Sequence, residues 1–419
     1  MRVLIVTAGT WGDVAPYTGL GLRLKAAGHE VSLATHTRFA DPVTVQGLGF
    51  RPLPLDPREQ LASVGQGLAH PGNLLALARL SRLARRNVPA LAAGIVEALR
   101  PGADVVLGST LTDPLCAPLG EALGIPTHGV YLQPVHPTRH FPPPVGIPSL
   151  GPLGNRLAGR AMTMTIGQLL GPSVSRLRSD LGLSKGNRPG TGVPGSPLVH
   201  HGFSPLVVPR PADWPTGHRV CGYWWPARHP HWQPPARLLD FLDAGPAPVF
   251  VGFGSHVAAD AERLSRLVTT ALRRARVRAV VQSGWSGLRA EGDEVLTVPE
   301  LPHDWLFPRM AAVVHHAGAG TTAAGLRAGV PAVPVPVHLD QHFWATRLVA
   351  LGVAPKALPY RSLAPEPLAA AIGRAVQRSD HRIRARHLAA ALLEEDGAAD
   401  VLHAVEGRGG GDRRRGTLA

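Results

Sequence analysis

Within its first 34 residues the chain runs through an apolar stretch, a glycine-rich turn, a helix and a second apolar stretch, and few folds accept that order. Val3 to Thr7 reads as a buried strand, the stretch from about Pro16 to Ala27 as a helix stopped by Gly28, and Glu30 to Ala34 as a strand again. Strand, helix, strand at this spacing is a βαβ unit, which implies a parallel sheet. Asp104 to Gly108 and Thr127 to Leu132 continue as buried strands around a helix Pro114 to Leu123. A second series opens with strand Pro248 to Gly252, helix Asp260 to Ala275 and strand Val277 to Gln282. It continues through strand Ala311 to His315, helix Thr322 to Ala328 and strand Ala332 to Val337. Helices near Glu366 to Arg378 and His381 to Glu395 close it. Two successive open α/β sheets hold ligands at the carboxyl ends of their strands, so the expected site is a cleft between the halves.

The 419 residues have room for two such domains. The boundaries predicted are an N-terminal domain over 1–206, an interdomain linker over 207–235 and a C-terminal domain over 236–406, whose last helix is free to pack back on the first domain. The linker is rich in proline and carries Trp214, Trp224, Trp225 and Trp232. A disordered tail follows over 407–419, where GRGGGDRRRGTLA is nearly all glycine, arginine and polar residues. His136 to Pro152 and Lys185 to Pro197 are loops by their proline and glycine content, and they are candidates for the wall of an acceptor pocket.

With 44% hydrophobic and 17% charged residues the chain is a globular protein, and no apolar run is long enough for a bilayer. MRVLIVTAG passes straight into Gly-Thr-Trp-Gly-Asp, so it reads as a strand and not as a signal peptide. Cys116 and Cys221 stand far apart, without disulfide or zinc spacing, and the cytoplasm is the expected compartment. The net charge of +14 comes almost wholly from scattered arginines, with lysine only at 25, 185 and 356, and no nucleic-acid motif accompanies it. Asn73 to Arg86 sets leucines on one helical arc and arginines on the other. It is a surface helix on the domain core, with peripheral membrane contact as the most it suggests.

Three turns carry chemistry. Gly9-Thr10-Trp11-Gly12-Asp13 ends the first strand, and Asp13, just before a helix, is either a general base or a helix cap. Gly252-Phe253-Gly254-Ser255 ends the first strand of the second series, where amides and the Ser255 hydroxyl suit a phosphate. The third is VVHHAGAGTTAAGLRAGVPAVPVPVHLDQ, Val313 to Gln341. There a glycine-rich helix start with His316, Gly318, Gly320, Thr321 and Thr322 can hold a diphosphate, and Asp340 with Gln341 can hold hydroxyls. The chain has no Asp-x-Asp pair, so a metal clamp on a diphosphate lacks obvious ligands and metal-independent chemistry is expected.

On these residues the chain resembles the inverting glycosyltransferases of the GT-B type, two Rossmann-like doubly wound parallel-sheet domains facing a central cleft, in the UDP-glycosyltransferase superfamily. The likeness is to the bacterial branch of glycopeptide-antibiotic and sterol glucosyltransferase-like enzymes. It runs from Met1 to about Leu402. AGTWGDVAPYTGLGLRLKAAGHEVSLATH, VVPRPADWP with GYWW, VFVGFGS, LPHDWLFPRMAAVVHHAGAGTT and the terminal DQ carry it. The resemblance implies an acceptor-binding first domain and a nucleotide-sugar-binding second domain. It makes Asp13 the base and Thr10, Trp11 and His136 acceptor residues. Ser255, His316, Gly318, Gly320, Thr321 and Thr322 fall at the diphosphate, Leu301 and His303 at the nucleotide base, and Asp340 and Gln341 at the sugar. Trp11 stands where relatives often carry a polar residue, Ala317 replaces a customary glycine, and Glu300 lies where some members stack a tryptophan on the pyrimidine.

The function expected is transfer of a hexosyl group from a UDP- or dTDP-sugar to a hydroxyl of an apolar small molecule, with inversion and with no cofactor or metal. Antibiotic or other secondary-metabolite biosynthesis is the leading context and sterol or lipid glucosylation the alternative. A nucleotide-sugar epimerase and a non-catalytic partner that has kept the fold are the further readings.

Overall fold

The computed structural model describes residues 1–54, 74–184, 197–254, 256, 258 and 260–407, with only the backbone described over 74–85. It forms two compact units, one comprising Met1–Pro230 and the chain from Asp396 onward, the other His231–Glu395.

In unit 1 the strands are β1 (Arg2–Val6), β2 (Glu30–His36), β3 (Gly49–Leu53), β4 (Val105–Gly108), β5 (Thr127–Tyr131), β6 (Val199–His201) and β7 (His218–Val220). All are parallel, in the order β3-β2-β1-β4-β5-β6-β7. Strand periodicity divides their side chains between two cores. Val3, Ile5, Val31, Leu33, Val105 and Leu107 meet helix α1 (Trp11–Ala26) through its Val14, Tyr17, Leu20 and Leu24. Leu4, Val6, Ala34 and Val106 meet Leu115 and Leu119 of the helix Asp113–Leu123 on the opposite face. Burial on both faces is why these strands read as unbroken apolar runs.

Unit 2 repeats the plan with β8 (Val249–Gly252), β9 (Ala279–Gln282), β10 (Val295–Val298), β11 (Ala312–His315) and β12 (Ala332–Pro334), in the order β10-β9-β8-β11-β12. One face packs on the helices Ala261–Ala275 and Pro365–Gln377, through Leu264, Val268, Leu368 and Ile372. Phe250, Val280 and Val313 on the other face meet Leu306 and Phe307. In each sheet the winding reverses beside its first strand, between β1 and β4 and between β8 and β11. Such a reversal opens a crevice at the carboxyl ends of the strands.

Several boundaries differ from the sequence reading. Helix α1 begins at Trp11, five residues before Pro16, so Asp13 lies inside its first turn. Proline marks helix starts because it lacks an N–H. Here its lack costs only the bond to the Gly12 carbonyl, one turn from the end of the helix. The stretch expected as a linker, 207–235, is divided, and through Pro230 it belongs to unit 1. It supplies β7 and the buried Trp214 and Trp224, which anchor it to the sheet's far edge and to the core beneath α1. The helix Gly151–Asp180 was not expected, because the positions it buries include Asn155, Gly159 and Thr163 and give no apolar stripe to read. The backbone of Leu74–Leu99 is helical, but the side chains over 74–85 that carry most of the leucine and arginine arcs, most of the loop 185–197 and the tail from 408 lie outside the described residues. No helix among the described residues is long and apolar enough to cross a membrane.

The last helix, Ala399–Glu406, contributes Val401 and Val405 to the core around Val3 and Ile5, and the Trp224 indole donates to the Gly397 carbonyl at 2.8 Å. Helix α1 is clamped at Gly19, where a Cβ would lie 1.7 Å from the Trp225 carbonyl oxygen. Gly19→Ala should therefore lose about 1–3 kcal/mol in urea unfolding, as overpacked sites do, and wild-type stability would show that α1 does not depend on this approach.

Candidate active site

The first turn is built around the Asp13 carboxylate. Gly9 adopts φ +141°, and a Cβ there would stand 2.5 Å from Asp13 Oδ2, so only glycine allows the carboxylate to fold back. Oδ2 accepts from the Thr10 amide at 2.9 Å and the Thr10 hydroxyl at 3.1 Å, while Gln133 Nε2 approaches Oδ1 at 3.5 Å. Thr110 donates to Gln133 Oε1 at 3.1 Å and so orients that amide. Asp13 is thus both cap and partly exposed acid: one oxygen serves the helix, the other is held only by a long contact. Burial pushes its carboxyl above the ordinary aspartate value, against the opposing pull of the Thr10 and Gln133 donors. The Gly9 amide donates to His36 Nε2 at 3.1 Å, which ties the turn to the end of β2.

The second site lies where β8 and β11 end side by side. The His316 ring is seated between two glycines. A Cβ on Gly254 would come 2.8 Å from its Cε1, and one on Gly318 would come 2.4 Å from its Nε2. Gly318 caps the helix Ala319–Arg327, whose first amides, those of Ala319, Gly320 and Thr321, have no carbonyl within the helix to bond. Beside them His316 Nδ1 and the Thr322 hydroxyl are buried without a hydrogen-bond partner. Free amides, a helix N-terminus and orphaned polar side chains make a site for an anion.

The imidazoles here are neutral. Burial, reinforced by neighbouring histidines, lowers His316 to about 3 and His256 to about 4, and lowers His338 as well. His315 is held at about 3 by burial and by His303, and its Nδ1 accepts from the Ala317 amide at 3.1 Å. His303 lies flat on Phe307, with ring centroids 4.3 Å apart, and burial lowers it to about 4.

Other predicted residues fall into different settings. Leu301 is a core side chain packed with Phe250 and Leu306, which leaves only its backbone for a nucleotide. Gln341 Oε1 already accepts from the Val337 and His338 amides, at 2.9 and 3.1 Å, so toward a sugar the side chain can only donate. Asp340 Oδ2 accepts from the Trp344 indole at 3.0 Å. Trp11 packs on Phe39, 5.4 Å between centroids, and His136 sits among Tyr131, His201, Trp214 and His218. Ser255 lies outside the described residues. Gln133, Thr110, His256 and His338 were missed. All four follow strand ends or lie in the turns beyond them, and the rule that ligands gather there was the available signal.

Residues 3–112 match the glycosyltransferase family 28 N-terminal domain and residues 276–407 the erythromycin biosynthesis protein CIII-like C-terminal domain. A sterol 3-beta-glucosyltransferase of Arabidopsis thaliana is 34% identical over 424 residues, covering 96% of this chain; the chain spans 65% of the length of that relative. The O-mycaminosyltylonolide 6-deoxyallosyltransferase of Streptomyces fradiae is 34% identical over 420 residues, 97% of each chain. The solved structure of a Streptomyces sp. SF2575 glycosyltransferase complexed with thymidine diphosphate superposes with TM-score 0.63 at 23% identity, covering 97% of this chain and 99% of that one. The fold is that of the GT-B glycosyltransferases. The chain belongs to the UDP-glycosyltransferase superfamily.

Ala317, between the two site histidines and the helix, holds φ +60°, a conformation that favours glycine. Ala317→Gly should gain up to about 1 kcal/mol in thermal or urea unfolding, the relieved strain outweighing the added freedom of the unfolded chain. A loss of stability would mean that the turn is not strained.

Proposed function

We propose that this protein transfers a hexosyl unit from a UDP- or dTDP-sugar to a hydroxyl of an apolar small molecule, with inversion and without a metal at the diphosphate. The observation that carries this reading is the pair of orphaned polar atoms, His316 Nδ1 and the Thr322 hydroxyl, beside the free amides of the helix Ala319–Arg327. Unit 2 holds the donor and unit 1 the acceptor. Asp13 Oδ1 takes the proton of the acceptor hydroxyl as its oxygen bonds to the anomeric carbon, and the bond from that carbon to the diphosphate breaks. The departing charge is received by the amides of Gly320 and Thr321, by Thr322 and by His316. Ser255 belongs to the same turn by sequence. Asp340 and Gln341 orient the sugar, Gln341 as a donor. His303 lines the nucleotide base.

The names of the relatives support an apolar acceptor: a sterol in one case, O-mycaminosyltylonolide in the other. Secondary-metabolite tailoring is the reading favoured, because the Streptomyces relative matches this chain over nearly its whole length. Sterol glucosylation is the second, carried by the equal identity of the plant relative. Release of UDP or dTDP with macrolide aglycones but not sterols supports the first, and the reverse supports the second. Donor consumption without nucleotide release would indicate an epimerase, and tight donor binding with no turnover a non-catalytic partner.

Asp13→Asn should lower turnover about a hundredfold or more while leaving donor binding intact. Its stability should move the other way. A carboxyl whose folded pKa lies above its unfolded one destabilises the fold once ionised. That penalty grows as pH rises through the interval between the two values and is complete above the folded one. Asn at this position should therefore leave the melting temperature unchanged or higher. Near-normal turnover would remove Asp13 as the base.

UDP binding should take up protons. The site histidines are neutral when the site is empty, and a bound diphosphate raises their pKa values, so affinity should strengthen as pH falls through the bound-state values toward the free ones. Calorimetry in buffers of different ionisation enthalpy reads the uptake, and His316→Ala should reduce both affinity and uptake. Equal heats in all buffers, with unchanged affinity in His316→Ala, would detach these histidines from the phosphate.

A further inference from the structure

Away from both turns, three histidines of unit 1 converge. His201 ends β6 and His218 begins β7. Because Val199 pairs with His218 and His201 lies two residues on, both side chains point to the same face of the sheet. His136 joins them from the segment after β5. Its carbonyl accepts from the Trp214 indole at 3.3 Å, and its ring centroid lies 4.0 Å from that of His218. Trp214 stacks on His201 at 4.6 Å, and Tyr131 meets the same ring edge-on. The Tyr131 hydroxyl is committed to Asp113 at 2.7 Å and offers the cluster nothing.

One nitrogen from each of the three rings lies within 4.8 Å of the others. His136 Nε2, a nitrogen of His201 and His218 Nδ1 are buried without a hydrogen-bond partner. The Gln133 carbonyl is a hydrogen-bond acceptor for one His201 nitrogen, which leaves the lone pair on the other, and Arg210 acts on His218 through its charge. Unsatisfied buried polar atoms are costly, so several in one place call for a ligand that consumes lone pairs. A cation that accepts three neutral imidazoles is such a ligand.

We propose that His136, His201 and His218 bind one transition-metal ion, zinc in the first instance, as a structural clip in unit 1. Imidazole donors select zinc, nickel or copper over magnesium or calcium. A point equidistant from three nitrogens within 4.8 Å of one another lies at most about 2.8 Å from each, so zinc–nitrogen bonds of about 2.0–2.1 Å need each ring to advance roughly 0.7 Å. The ion would tie β6 and β7 to the segment after β5. On that segment Gln133, three residues before His136, reaches Asp13. The clip therefore positions the partner of the proposed base, and its ligands are separate from the phosphate turn. No carboxylate or thiolate is among the ligands, and Arg210 opposes added positive charge, so affinity should fall below that of thiolate zinc sites.

The test uses the full chain stripped with EDTA and titrated with zinc against a chromophoric chelator, with cobalt spectra as a second readout. One equivalent should bind, cobalt should give the visible bands of a tetrahedral site, and zinc should raise the melting temperature reversibly. His136→Gln and His218→Gln should each weaken binding at least about tenfold and abolish the thermal shift, circular dichroism confirming their fold. His128→Gln, whose side chain lies on the opposite face of the sheet, should bind as wild type. Wild-type protein that takes up no zinc would overturn the proposal whatever the variants do. So would zinc binding that survives unchanged in the His136 and His218 variants, which would be adventitious metal on other histidines.

Discussion

Parallel strands that pass directly into helix N-termini govern this molecule. Each such passage needs a turn in which the backbone reverses within a few residues and leaves amides unpaired at the helix start. Gly9 meets that need in unit 1 and Gly254 with Gly318 in unit 2. In each case a Cβ would collide with the very side chain the turn displays, Asp13 or His316. Small residues are present here because functional groups occupy the space a methyl would fill.

The two turns then diverge in chemistry. In unit 1 the helix start is closed by Asp13 itself, whose carboxylate accepts the amide and hydroxyl of Thr10, so that site presents an acid. In unit 2 glycine and alanine open the helix and no side chain caps it. The donors there stay available, and the neighbouring imidazoles are kept uncharged by burial. Neutral imidazoles beside an unclosed helix end cost stability, and the anion proposed to bind there would recover that cost.

Much of this was legible beforehand. The strands that carry the turns are buried on both faces and announce themselves as apolar runs, and the turn residues are types chosen for narrow conformational reasons. Legibility failed where burial was shared with polar groups. β6 and β7 read VHH and HRV, three residues each, and no pattern of apolar side chains marks them. Gln133 and Thr110 lie far from Asp13 along the chain, and only the sheet brings them to it. Gln341 reads as a sugar ligand with an amide of both polarities, yet its oxygen is spent on its own turn.

The sequence by itself determined the doubly wound plan, the places where strands become helices and the residue types at those places. These depend on local periodicity and on backbone conformations that glycine alone adopts easily. Tertiary structure decided which atoms remain available: one oxygen of Asp13, Nδ1 of His316, and the three histidines gathered from positions 136, 201 and 218. Availability is set by what packs and bonds against an atom across the fold, and strand pairing brings together residues whose spacing along the chain carries no trace of it.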